Sequence, residues 1–262
     1  MGILNVTPDS FSDGGRFDST AAALAHAQEL ATAGADSIDI GGESTRPGSL
    51  PVPSDEQIRR ILPVIRSIPG QIGNIVISVD TTRADVARAA FNAGAQMIND
   101  ISAGRDDPAM LPLAAQHQLP IVLMHMQGTP QTMQANPVYL DVVAQVSAFL
   151  VERRNAAVTA GIAPSQILLD PGLGFGKTDA HNLALLREIS RLAAIGQPLV
   201  IGASRKGFIG RITGESNVHS RVLGTAAVVG WCAANGAGIL RVHDVGAMFK
   251  VVQMVRAIVG NS

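Results

Sequence analysis

Aromatic side chains make up only 3% of the 262 residues while 47% are hydrophobic, so the core has to be filled by Ala, Val, Ile and Leu. Parallel strands covered by helices have that composition. Cysteine is almost missing. Cys232 stands alone, which excludes an intramolecular disulfide and a cysteine-based metal cluster. It lies in the apolar helical stretch Ala226-Ala227-Val228-Val229-Gly230-Trp231-Cys232-Ala233, where a lone cysteine acts as a small buried hydrophobe. An excess of one charge is missing too: the formal net charge is -1, leaving no basic surface for nucleic acid. No apolar stretch approaches the roughly 18 residues that span a bilayer, and no cationic segment precedes an apolar one at the amino terminus. The expectation is a soluble cytoplasmic protein with neither membrane nor nucleic-acid partners.

What is present is an alternation of short apolar runs and amphipathic stretches. Strands are expected at Gly2 to Val6, Ser37 to Ile40, Ile75 to Asp80, Met97 to Asp100, Pro120 to Met124, Ile167 to Leu169, Leu199 to Gly202 and Ile239 to Val242. Helices are expected over Thr20 to Ala33, Ser54 to Ile68, Ala84 to Ala93, Pro108 to His117, Asp141 to Ala160, Asn182 to Ala194, Arg221 to Asn235 and Val245 to Val259. Ser54 is a candidate N-cap, and Thr81-Thr82 is expected to cap the helix after it. Eight strand-then-helix units in about 250 residues is the pattern of a (β/α)8 TIM barrel, an α/β fold in a single domain over residues 1–262. A doubly wound open sheet is the alternative. Strand ends run into polar or glycine-rich sequence, whereas the helix-to-strand turns are short and plain, so the chemistry falls on one face.

Those strand ends collect Asn5, Thr45, Arg46, Asp80, Asn99, His125, Asp170, Ser204, Arg205, Lys206, Arg241 and His243. An ionised carboxylate only accepts hydrogen bonds and an amide does both, so Asp80, Asn99 and Asp170 suit the edge of an amino-oxo heterocycle. Alternatively, Asp80 and Asp170 cap the helices that follow their strands. Lys206, Arg241 and His243 suit a phosphate or diphosphate, and in Arg241-Val242-His243 the period of two aims both outer side chains one way. Asp244 could neutralise either of the two. No HExxH pattern accompanies His125 and His243, so a histidine-held zinc has little support. In Asp170-Pro171-Gly172-Leu173-Gly174-Phe175-Gly176-Lys177 a carboxylate meets three alternating glycines. Glycine is the default where backbone approaches a ligand, which here means room for a flat ring. Lys177 reads equally as a solvated helix-start residue or as a pocket member.

With these residues assembled, the sequence resembles the dihydropteroate synthases along nearly its full length. The blocks that carry the likeness are Met1 to Gly15, Gly41 to Gly48, Ser78-Val79-Asp80-Thr81, Asn99-Asp100-Ile101, Met124-His125-Met126, Asp170 to Lys177, Ser204-Arg205-Lys206 and Arg241-Val242-His243-Asp244. The resemblance implies a TIM-barrel transferase of folate biosynthesis. It would join 6-hydroxymethyl-7,8-dihydropterin diphosphate to 4-aminobenzoate and release diphosphate. By this likeness Asp80, Asn99, Asp170 and Lys206 would hold the pterin, with Met124, Gly174 and Phe175 at its pocket. Asn5 would ligate Mg2+; Thr45, Arg46, Arg241 and His243 would bind diphosphate; Phe11, Pro47, Ser204 and Arg205 would line the aminobenzoate site. It also implies a homodimer. Thr82 stands where an aromatic is often found in the family, and relatives usually carry a short segment before the first strand. Within the same superfamily a pterin-dependent methyltransferase is the rival, and a non-catalytic pterin-binding barrel is the rival from another class.

Overall fold

The structure, a computed structural model, describes residues 1–7, 16–44 and 48–260, with backbone only for 16–19. The strands are β1 (Gly2–Asn5), β2 (Ser37–Gly41), β3 (Val76–Asp80), β4 (Met97–Asp100), β5 (Ile121–Met124), β6 (Ile167–Asp170), β7 (Leu199–Ile201) and β8 (Ala237–Leu240). All neighbours pair in parallel, in sequence order β1 to β8. A parallel bridge between Gly2 and Val242 then joins the first strand to the chain just after the last. Ile3 N–H donates to Val242 O and Val242 N–H to Met1 O, each at 3.0 Å. The sheet is therefore curled in the manner of a TIM barrel, and its outer side carries the helices.

Those helices are α1 (Arg16–Thr32), α2 (Ser54–Gln71), α3 (Ala84–Asn92), α4 (Met110–Gln116), α5 (Val142–Thr159), α6 (Asp179–Arg187), α7 (Ile189–Ala193), α8 (Gly207–Thr213), α9 (Val222–Ala234) and α10 (Val245–Val259). Most fall where the sequence places them, and the departures have local causes. The stretch expected as one helix over 182–194 breaks at Glu188 into α6 and α7. Short α8 is an addition, closed by Gly214 in the left-handed conformation at φ 76°. Strand β8 starts two residues earlier than expected, with Ala237 pairing to Leu199 next to a register irregularity, and at Gly238 a Cβ would sit 3.1 Å from Pro198. Ser54 is not the N-cap of α2; Pro53 occupies that place and no side chain caps it. Nor do Thr81 and Thr82 cap α3. Its first amide, at Ala84, donates to Asp107 Oδ2 at 2.8 Å, so the cap comes from the loop after β4. Asp141 does cap α5, accepting from Ala144 N at 3.0 Å.

Two apolar layers result. The larger lies between sheet and helices and includes Ile38, Ile40, Ile61, Ile65, Ile77, Val79, Leu123, Leu169 and Leu185. Fully burying one such side chain contributes about 1.5–3 kcal/mol. A smaller cluster of Val122, Leu168 and Val200, with Met97 and Ile239 against it, fills the enclosed side of the sheet. Since side chains alternate along a strand, the residues two further on (Asn99, Met124, Asp170, Gly202 and Arg241) stand above that apolar plug. The fold thus sets polar groups on a dry floor. No described helix is long and apolar enough to cross a membrane.

Candidate active site

Four groups from separate strands meet directly. Arg241 donates through Nε to Asp39 Oδ2 at 2.6 Å and through Nη2 to Asp80 Oδ2 at 2.7 Å. Asn99 Nδ2 donates to the same Asp39 oxygen at 2.9 Å. Asp80 is buried, and burial, opposed by Arg241 and reinforced by the charge of Asp39, pushes its carboxyl up to about 7. Glycine opens the space beside it. A Cβ at Gly41 would lie 3.7 Å from both Asn5 Oδ1 and Asp80 Oδ2, so the bare backbone leaves a gap flanked by those two oxygens. Beside Asp80 also opens a cavity of about 450 Å³ lined by Glu43, Gln57, Thr81, Ile101 and Pro130, of a size that holds small molecules. Asp80 alone belongs to both cavity and charged cluster.

The second half of the site comes from β6 and β7. Asp170 is buried, accepts from Gly172 N at 2.7 Å through Oδ1, and has its carboxyl pushed up by burial against the pull of Lys206. It does not cap α6; Thr178 does, accepting from His181 N at 3.2 Å. Lys206 donates to Leu173 O, and its Nζ lies 4.4 Å from the centre of the Phe175 ring. Burial lowers its amine to about 8, with Asp170 working the other way. Phe175 packs on Ile101, Met124, Met126 and Met133, an apolar wall next to two carboxylates. Gly202 lacks a side chain where a Cβ would come within 4.0 Å of both Asp170 Oδ2 and Arg241 Cδ.

The alternating glycines have a different use from the one expected. Gly172, Gly174 and Gly176 all have positive φ, at 65°, 81° and 59°. A Cβ on Gly172 would lie 1.9 Å from His125 O, and one on Gly176 2.5 Å from Gln127 O. These two make room for the backbone of the loop after β5, Gly172 also lying against Met124 Cγ at 3.3 Å, and Gly174 faces Lys206 at 2.9 Å. Lys177 holds the same junction. It is 1% exposed, and its Nζ reaches Gly172 O at 2.9 Å, Phe175 O at 3.0 Å and His125 Nδ1 at 2.9 Å. Of the two readings of Lys177, the solvated one fails. His125 also packs edge-on against Phe149 at 4.8 Å, and burial followed by Lys177 presses its pKa down to about 3. It is a neutral structural histidine.

Around β7 and β8, His243 N–H donates to Ser204 Oγ at 3.2 Å, and His243 Nδ1 lies 3.0 Å from the same oxygen. Arg205 turns to Asp244 in a two-pronged pair, Nε to Oδ2 at 2.9 Å and Nη2 to Oδ1 at 2.5 Å. Asp244 therefore neutralises Arg205, not Arg241 or His243. Arg205 has φ 59°, costly for a residue with a side chain. Thr225 Oγ1 on its amide and Arg221 on its carbonyl hold it there. Phe11, Thr45, Arg46 and Pro47 lie outside the described residues. Asp39 was not singled out in the sequence; its signal was a carboxylate in mid-strand on the face shared with Gly41.

For magnesium, the described residues contain no cluster of three or more His, Cys, Asp or Glu side chains able to hold an ion. Mg2+ usually keeps several waters and binds through one or two carboxylates plus substrate phosphates; at the Gly41 gap the amide oxygen Asn5 Oδ1 is the hard oxygen that would ligate it, the substrate's phosphates supplying the negative charge.

Known proteins share this fold and sequence. A family described as pterin binding enzyme matches residues 1–243. The dihydropteroate synthase of Synechocystis is 47% identical over 258 residues, 98% of this chain and 89% of the relative. The solved structure of Xanthomonas albilineans dihydropteroate synthase with 4-aminobenzoic acid superposes with TM-score 0.93 at 48% identity, covering 98% of this chain and 92% of that one. The same enzyme in complex with 7,8-dihydropteroate gives TM-score 0.89 at 46% identity, with 98% and 92% covered. The chain belongs to the dihydropteroate synthases of the pterin-binding enzyme family.

Proposed function

We propose that this chain joins 6-hydroxymethyl-7,8-dihydropterin diphosphate to 4-aminobenzoate, giving 7,8-dihydropteroate and diphosphate for folate synthesis. The observation that carries the residue assignment is the convergence of Asp80, Asn99, Asp170, Lys206 and Arg241 beside the Met124 and Phe175 wall. In this reading the aromatic and thioether wall takes the face of the pterin, while Asp80 and Asp170 accept from its ring and amino N–H groups and Asn99 reads the adjoining edge. As the methylene carbon–oxygen bond breaks, the bridging oxygen leaves with the diphosphate and positive charge spreads into the pterin. The two carboxylates stabilise that charge. The amine of 4-aminobenzoate then forms the carbon–nitrogen bond and loses a proton. No protein nucleophile takes part, and fixed charges in a dry site supply the main catalytic effect.

The diphosphate falls to Thr45, Arg46 and His243, with Nη1 of Arg241, whose other nitrogens hold Asp39 and Asp80. Mg2+, with Asn5 as its protein ligand, would neutralise the leaving diphosphate. Phe11, Pro47, Ser204 and Arg205 are assigned to the aminobenzoate. Purified protein given the pterin diphosphate, 4-aminobenzoate and Mg2+ is expected to release diphosphate and to lose nearly all of that activity when Mg2+ is chelated. Absence of diphosphate release would end the proposal, and full activity under chelation would remove the Asn5 site.

The same reading extends to the assembly. The chain forms one pterin-binding domain, a closed (β/α)8 barrel, in the cytoplasm and as a homodimer. Leu223, Trp231, Met254 and Ile258 expose 81%, 50%, 60% and 71% of their surface on α9 and α10, an apolar face suited to self-association. Sedimentation at micromolar concentration is expected to give a dimer; a monomer throughout would overturn this assignment.

A further inference from the structure

The charged cluster stands on a residue hidden from solvent. Asp39 is fully buried in the middle of β2, where its strand neighbours Ile38 and Ile40 point to the outer core. Its register partners are Ile3 on β1 and Ser78 on β3, one step below the Asn5, Gly41 and Asp80 level. Among the described residues only Oδ2 is used, by Asn99 and Arg241. Oδ1 has no hydrogen-bond partner among the described residues, and neither has Ser78 Oγ. For stability alone this is a poor arrangement, since a buried charge with unused lone pairs is rarely worth more than a packed apolar residue.

What the carboxylate does supply is orientation. An ionised carboxylate can only accept, so the end of the Asn99 amide that faces Asp39 must be the NH₂. That choice settles which way the amide presents its oxygen. Nε of Arg241 is held the same way, which aims Nη2 at Asp80. We infer that Asp39 is a positioning residue for pterin recognition: it fixes the amide of Asn99 and the guanidinium of Arg241, and through Arg241 it sets the electrostatic state of Asp80. The inference rests on Asp80 and Asn99 being ring contacts. The groups acting on Asp80 are Arg241, Asp39, Asp100 and Glu43; Arg241 favours its ionised form, and the three carboxylates oppose it.

Two variants of the full chain test this, Asp39→Asn, which keeps the shape, and Asp39→Ser, which is smaller. With the Asp39 charge gone, Arg241 serves Asp80 alone, so Asp80 ionises more easily. The KM for the pterin diphosphate is expected to rise about tenfold with that for 4-aminobenzoate within about twofold. The acidic limb of kcat/KM is expected to move down by about half a pH unit or more. Both variants should still fold cooperatively, with thermal midpoints below the parent's because Arg241 keeps Asp80 as its one carboxylate partner among the described residues. A folded Asn or Ser variant with an unmoved acidic limb and unchanged pterin KM would overturn the inference, as would loss of folding in both variants, which would make Asp39 a residue of stability. Asp80→Asn measured alongside separates the two levels. If it weakens pterin use and the Asp39 variants do not, only the role of Asp39 falls; if it does not, the reading of the pterin site falls too.

Discussion

Asp80→Asn is expected to slow single-turnover formation of the carbon–nitrogen bond by about 10²–10³, the range seen when one fixed electrostatic group is removed from a transition state. The KM for 4-aminobenzoate should barely change, because Asp80 sits with Arg241 on the pterin side of the site. The pH dependence follows from burial. The Asp80 carboxyl is raised from 3.8 to about 7, so in the free enzyme it passes from neutral to ionised as pH rises through about 7. If the ionised form takes the ring N–H groups, kcat/KM for the pterin diphosphate rises across that range, and the Asn variant loses the limb. Stability runs the other way. A carboxyl whose folded pKa lies above its unfolded value binds more protons folded than unfolded between the two, so stability falls as pH climbs from 3.8 to about 7. Asp80→Asn is thus expected to melt no lower than the parent at pH 8 while being far slower. Unchanged single-turnover rates would take Asp80 out of the mechanism, and a retained acidic limb would assign that titration to another group.

The same carboxylate shows what can be read from sequence and what cannot. Asp80, Asn99 and Asp170 were visible because each follows an apolar run, and a strand end in this fold is a position on one rim. Asp39 was hidden by that logic, since it lies in mid-strand between Ile38 and Ile40 and looks like ordinary alternation. Pairing across the sheet, absent from any local window, brings it to Arg241 at a separation of 202 residues. Helix α8 was missed because Gly207 and Gly210 lower helix propensity, and tertiary packing of Phe208 and Ile209 overrides that. Arg205 carried no signal of its partner either. Asp244 could have been assigned to any of three neighbouring cations, and only the turn of the chain at φ 59° selects Arg205. The glycines after Asp170 announced close approach correctly, but not to what: the strand ends are local, whereas the loop each glycine meets is not.

That meeting of loops makes Lys177→Met the other large effect. Methionine has similar length and no donor, so Gly172 O and Phe175 O would lose the Nζ that reaches them at 2.9 and 3.0 Å. Phe175 O is then left without a donor among the described residues, at about 1–3 kcal/mol, whereas Gly172 O keeps the Phe175 amide at 3.0 Å. Relief from burying the amine offsets part of this, for a net destabilisation of about 1–2 kcal/mol. Burial is also the main reason that the amine titrates well below 10.5, with Asp170 pulling it back up. Folded protein then binds fewer protons here than unfolded protein as pH drops below 10.5, so the parent loses stability through Lys177 on that descent and the methionine variant does not. The stability gap between the two should therefore be wider at pH 9 than at pH 7. Function should follow the loop: Gly172 N–H holds Asp170 Oδ1 at 2.7 Å, and Phe175 is the pocket wall, so the KM for the pterin diphosphate should rise before that for 4-aminobenzoate does. Urea unfolding at both pH values, with the two KM values, checks this. Equal stability of parent and variant at pH 9 together with an unmoved pterin KM would mean that the loop keeps its shape without its lysine.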